Sequence, residues 1–106
     1  MNEPRELWVA VLRLDLGIPG ARSKKDRRQV VRSLKERLRS RFGVSCVEVG
    51  DVESWTRAAL GLSFCAGAEG ECGKLADEIV EYARNDPGAM LGRVERDVFR
   101  YAGEET

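Results

Sequence analysis

The chain has 106 residues, 18 basic and 18 acidic, and no histidine. That length holds one domain with a single core and, at 42% apolar residues, needs no covalent staple to bury it. The missing imidazole excludes Ser-His-Asp and Cys-His relays and histidine metal sites.

Residues 7–16 (LWVAVLRLDL) form the first expected strand, with Trp8, Ala10, Leu12, Leu14 and Leu16 on one face. Val9, Val11, Arg13 and Asp15 fall on the other, so one face is apolar and the other mixed. The loop GIPGARS follows, with Pro19-Gly20 as its turn, Ser23 as a helix N-cap and Asp26 as a short stand-in for a capping-box Glu. Val30, Val31, Leu34, Leu38 and Phe42 then recur at helical spacing, and Gly43 closes the helix.

This helix carries the main asymmetry of the sequence. From Arg22 to Arg41 there are ten basic residues against Asp26 and Glu36, a local charge of +8 in a chain that is neutral overall. Solvated helix faces usually mix signs. Here like charges fall four apart instead (Lys24 with Arg28, Arg28 with Arg32, Lys35 with Arg39), each pair costing about 0.2–0.5 kcal/mol. A polyanion would relieve that repulsion, and a phosphate backbone is the first candidate. Arg22, Lys24, Lys25, Arg28, Arg32, Lys35 and Arg39 are the expected nucleic-acid-binding residues. The alternative is that the acidic remainder of the chain, or of a second copy, neutralises them.

Residues 44–49 form a second strand, and 57–65 a third, joined by a short connection that carries Trp55. A second helix is expected over 72–85, after a flexible segment at 66–71, with Asp77, Glu78 and Glu81 making its outer face acidic. Asp86-Pro87-Gly88 stops it, and residues 90–101 read as a last edge strand with a bulge. The polar tail at 103–106 is expected to fray. Cys46, Cys65 and Cys72 are odd in number and one ligand short of a tetrahedral zinc site. Cys72, expected at a helix start, could favour a thiolate, but small buried or half-buried thiols are the simpler reading of Cys65 and Cys72.

The order β-α-β-β-α-β predicts an α+β fold, the ferredoxin-like split β-α-β. It would be a single domain over 1–106 with an ordered core at about 7–101, and a four-stranded antiparallel sheet with both helices on one face. The uncovered face of the central strands would then present Val9, Val11, Ala59, Gly61 and Ser63. Those strands offer no aromatic there for base stacking, so a protein partner or a homodimer is the expected use of that face, with Trp55 and Arg57 at its margin.

The segments LRLDLGIPGARSKKDRRQVVRSLKERLRSRFGVSCVEVGD and WTRAALGLS resemble the YlxP family of small bacterial proteins. The resemblance implies a ferredoxin-like fold and no defined activity; members are often encoded beside translation and ribosome-maturation factors. Gly17 and Lys24 stand where relatives commonly carry His and Leu, which removes a titratable group from the loop and adds a cation to the helix. No apolar run approaches the ~20 residues of a membrane span, and the N-terminus lacks a secretory pattern, so a cytoplasmic protein is expected. Together these readings lead to a non-enzymatic RNA- or ribosome-associated protein with no cofactor, no metal and no small-molecule substrate. The rival is a protein–protein module, with an enzyme built on Arg13, Asp15 or the GIPGARS loop behind both.

Overall fold

The structure is a computed structural model that describes residues 4–103. Its elements run β1 (Trp8–Gly17), α1 (Lys24–Phe42), β2 (Ser45–Val49), β3 (Arg57–Ala66), α2 (Glu69–Arg84) and β4 (Met90–Arg100). The four strands make one antiparallel sheet in the order β2-β3-β1-β4, as the split β-α-β arrangement requires. Both helices pack on one face, α1 over β2 and α2 over β1 and β4. The tail expected to fray lies outside the described residues beyond Gly103.

The two long central strands pair over their whole length, Trp8 opposite Ala66 and Gly17 opposite Arg57. Ala10, Leu12, Leu14 and Leu16 of β1 join Ala58, Leu60, Leu62 and Phe64 of β3 in the core. The helices close it with Val31, Leu34 and Leu38 from α1 and Cys72, Ala76, Ile79 and Ala83 from α2. The expected bulge lies in β4. Leu14 pairs with Val94 and Leu16 with Leu91, so Gly92 and Arg93 together oppose Asp15.

The α1 caps are those expected. Ser23 Oγ accepts from the Asp26 N–H (3.1 Å). Asp26 Oδ2 reaches back one residue further than in a capping box, to the Arg22 N–H (3.1 Å). Gly43 ends the helix at φ 64°, the left-handed region that a side chain disfavours, and its N–H bonds the Arg39 carbonyl.

Two expectations need correction. Helix α2 starts at Glu69, because Glu69 and Glu71 favour a helix N-terminus despite the glycines around them. Cys72 therefore sits one turn inside the helix and is buried, and burial raises its pKa, the reverse of thiolate activation. The open face is also narrower than the alternation implied. Ala59 is only 4% exposed and Gly61 half-buried, because Val47 and Val49 of β2 lean over Gly61 and the Arg13 side chain reaches past Ala59 toward Gly50.

Candidate nucleic-acid interface

Of the ten cations of the α1 region, Arg22 precedes the N-cap and the other nine separate into three groups by where the helix turns them. At about 100° per residue, Arg27 falls among Val31, Leu34 and Leu38 on the buried side. It is 1% exposed, the one charged residue that is buried among the described residues. Its NH2 meets Glu48 Oε2 at 2.7 Å and the Asp51 carbonyl at 3.3 Å, while Nε donates to the Arg57 carbonyl at 2.9 Å. Glu48 occupies an inward position of β2, and Arg27 supplies its partner. Arg27 therefore ties α1 to the β2–β3 loop and is unavailable to a ligand.

Arg37 and Arg41 turn toward α2. Arg37 donates to Asp86 Oδ1 (2.6 Å), the Tyr82 hydroxyl (3.2 Å) and Ser33 Oγ (3.2 Å). Arg41 lies over the Tyr82 ring, 5.1 Å from its centroid, and Tyr82 meets Phe42 edge-on. On this flank Asp86 meets the Arg37 charge, while Arg41 is held by ring contacts alone.

The remaining helical cations, Lys24, Lys25, Arg28, Arg32, Lys35 and Arg39, share a sector about 100° wide and about 22 Å long. They border β2, where the charges of Lys35 and Arg39 reach Cys46. Lys24 pairs with Glu53 (2.6 Å) and Arg39 with Glu36 (3.6 Å), both exposed pairs of small worth. Arg22, Lys25, Arg28, Arg32 and Lys35 have no carboxylate partner among the described residues. Five of the seven sequence-picked residues thus form an uncompensated stripe, and the other two lie in it with screened partners.

The GIPGARS loop spends part of its N–H donors on itself. The Arg22 and Asp26 N–H groups are taken by the Asp26 carboxylate and Ser23 Oγ, and the Ala21 N–H by the Ile18 carbonyl. Its turn and cap account for the glycine, proline and serine. Arg13 and Asp15 do line a pocket, of about 270 Å³, with Asp51 and Arg57, but they spend their charges on each other at 3.2 Å. No group of three or more His, Cys, Asp or Glu suited to a metal occurs among the described residues. No described helix is long and apolar enough to cross a membrane.

The open sheet face holds more than β1 and β3 supply. Val11 is 47% exposed, and β4 places Phe99 beside Val9 at 37%. Strand β4 also places Asp97 opposite Val11 and Glu95 opposite Arg13, so Phe99 sits next to negative charge. Arg13 lies opposite Glu95 and Arg93 pairs with Glu95 at 3.7 Å, so this face is mixed in sign, whereas the α1 stripe is cationic throughout.

A family model described as a protein of unknown function (DUF503) matches residues 9–96. The chain belongs to this family. The match spans β1 through most of β4, so it takes in the cationic stripe, the β2–β3 loop and the part of the open face that β1 and β3 supply. No curated protein matches the sequence. Among solved structures, the de novo designed protein Foldit4 is similar at TM-score 0.51 and 12% identity, covering 89% of this chain and 97% of its own. An amidase of the hydantoinase/carbamoylase family from Burkholderia phymatum is similar at TM-score 0.54 and 12% identity, covering 94% of this chain and 29% of its own. A designed protein with a ferredoxin fold, LFR1 1, has a TM-score of 0.43 at 13% identity, over 92% of this chain and 90% of its own. At 12% identity the likeness to Foldit4 and to the amidase is one of fold alone.

Proposed function

We propose that this protein is a non-enzymatic RNA-binding protein, associated with ribosomal RNA or a ribosomal subunit, that lays α1 along a phosphate backbone. The observation that carries the reading is the stripe of Arg22, Lys25, Arg28, Arg32 and Lys35, which the protein's own described carboxylates leave uncompensated. Binding by such a stripe positions the protein by charge and reads little sequence. The ribosomal destination rests on the resemblance of the IPGARS and KDRR segments to the YlxP proteins.

Five neutralised phosphates would give log K against log[salt] a slope of about −3.5 on single strands and −4.5 on duplex. Co-sedimentation with ribosomal subunits at two salt concentrations, together with an anisotropy titration on RNA, tests this. The variant Arg28→Glu/Arg32→Glu/Lys35→Glu should lose binding and flatten the slope. Absence of binding by the unaltered protein at low salt would end the proposal.

A second reading, a homodimer through the open sheet face, is favoured by the exposed Val11 and Phe99. Of the five interface residues expected from the sequence, Val9, Val11 and Ser63 stay in this reading; Ala59 and Gly61 yield their place to Val47 and Phe99.

A further inference from the structure

Trp55 stands in the β2–β3 loop at the N-terminal end of α1. It is 55% exposed, the largest of the exposed apolar side chains among the described residues. More than half of its surface lies in water, outside the core cluster, and Val52 of the same loop is equally uncovered.

The loop that carries it is held from several sides. The Ile18 N–H donates to the Thr56 carbonyl at 2.8 Å, and Arg27 holds the carbonyls of Asp51 and Arg57. Ser54 Oγ accepts from the N–H groups of Thr56 (3.4 Å) and Arg57 (3.1 Å), so both neighbours of Trp55 are fixed. Lys24 Nζ bonds Glu53 at 2.6 Å. The loop also lies in the field of the stripe: the Lys24 hydrogen bond and charge, and more weakly the Arg28 charge, hold the Glu53 carboxyl below its ordinary range. Arg57, two residues beyond the indole, is exposed and has no carboxylate partner among the described residues.

An exposed aromatic on a pinned loop, set at the end of a cationic track, is the arrangement by which proteins hold single-stranded nucleic acid. The cations follow the backbone and the ring takes the face of a base. We propose that Trp55 is a stacking platform for an unpaired base of single-stranded RNA whose backbone runs along the α1 stripe. This rests on the phosphate-backbone reading of α1 and narrows its ligand from RNA in general to RNA with unpaired bases. A duplex keeps its base faces stacked internally, so it would engage the stripe and leave the indole bare.

The test uses the full chain and three probes: a single-stranded oligouridylate, an RNA duplex of matched charge, and inorganic polyphosphate, which has no bases. Trp8→Phe makes Trp55 the only tryptophan. The oligouridylate should quench its fluorescence, and the duplex and polyphosphate should not. Trp55→Ala should weaken oligouridylate binding by about 5- to 140-fold and leave polyphosphate binding unchanged. Trp55→Tyr should restore most of the loss, which a purely structural role for the indole would not require. The inference is overturned if Trp55 is not quenched at saturating oligouridylate, or if Trp55→Ala weakens oligouridylate and polyphosphate equally. Polyphosphate binding with a silent Trp55 refutes this inference alone, whereas failure of all three probes at low salt removes the backbone reading as well.

Discussion

Replacing Glu48 by leucine should cost about 3 kcal/mol of folding stability. Removing one partner of a buried ion pair costs about 3–5 kcal/mol, because the other charge is left in the core without compensation. Two observations place this site at the low end. The Glu48 side chain keeps 23% of its exposure, so the pair is not fully dry. Arg27 also retains the carbonyls of Arg57 and Asp51 as acceptors. For a domain of this size the loss corresponds to a fall in Tm of about 12–24 °C. Glu48→Gln, which keeps an acceptor oxygen, should cost about half as much. The double variant Arg27→Met/Glu48→Leu should recover at least about 1 kcal/mol over Glu48→Leu alone, since apolar groups of similar volume replace a buried pair at little cost. Urea unfolding followed by far-UV circular dichroism measures all three, provided the m-values agree. A loss below about 1 kcal/mol for Glu48→Leu, or a double variant no more stable than the single, would refute the account of Arg27 as a buried cation held by its carboxylate.

Ser23→Ala should lower stability by about 1 kcal/mol through loss of the α1 cap, seen as a Tm fall of about 4–8 °C, while Ser23→Asp keeps the cap. A thiol reagent at neutral pH should modify Cys65 alone in the folded protein, since Cys46 and Cys72 are buried; a second reactive thiol would contradict their placement. Burial pushes Cys46 up to about 11 from an ordinary 9.0, so between those values the folded chain holds a proton that the unfolded chain has released. Stability should therefore fall as pH rises through that window, and Cys46→Ala should flatten the fall in alkaline unfolding curves. If the open face pairs two copies, Val11→Asp should convert a dimer to a monomer in sedimentation velocity; an unaltered protein that is already monomeric at high concentration removes that reading.

The sheet and helix order was legible because the signals are local. Trp8 through Leu16 keeps every second residue apolar, Ser23 and Gly43 bracket a 3.6-residue stripe, and Asp86-Pro87-Gly88 is a strong stop. What escaped lies where a residue's partner is distant. Arg27 reads as one cation among ten, although its spacing of four to Val31 and seven to Leu34 marks it as inward; only Glu48, 21 positions away, makes that burial affordable. The start of α2 was hidden by glycines whose low helix propensity is overridden by packing of Cys72, Ala76 and Ile79. Phe99 was not assigned to the open face because the bulge at Gly92 and Arg93 breaks the alternation of β4. The cationic stripe was visible as composition, but its division into buried, helix-facing and free groups needed the coordinates.

Strand β1 precedes both of its sheet neighbours in the chain and sits between them. Trp8 is joined across the sheet to Arg100, so during synthesis β1 stays half-paired until β4 has left the exit tunnel. The sheet cannot close before β4 is made. Strand β1 waits on that side for a partner that follows both helices in the chain, and this long-range pairing makes closure of the sheet slow beside the local formation of the helices.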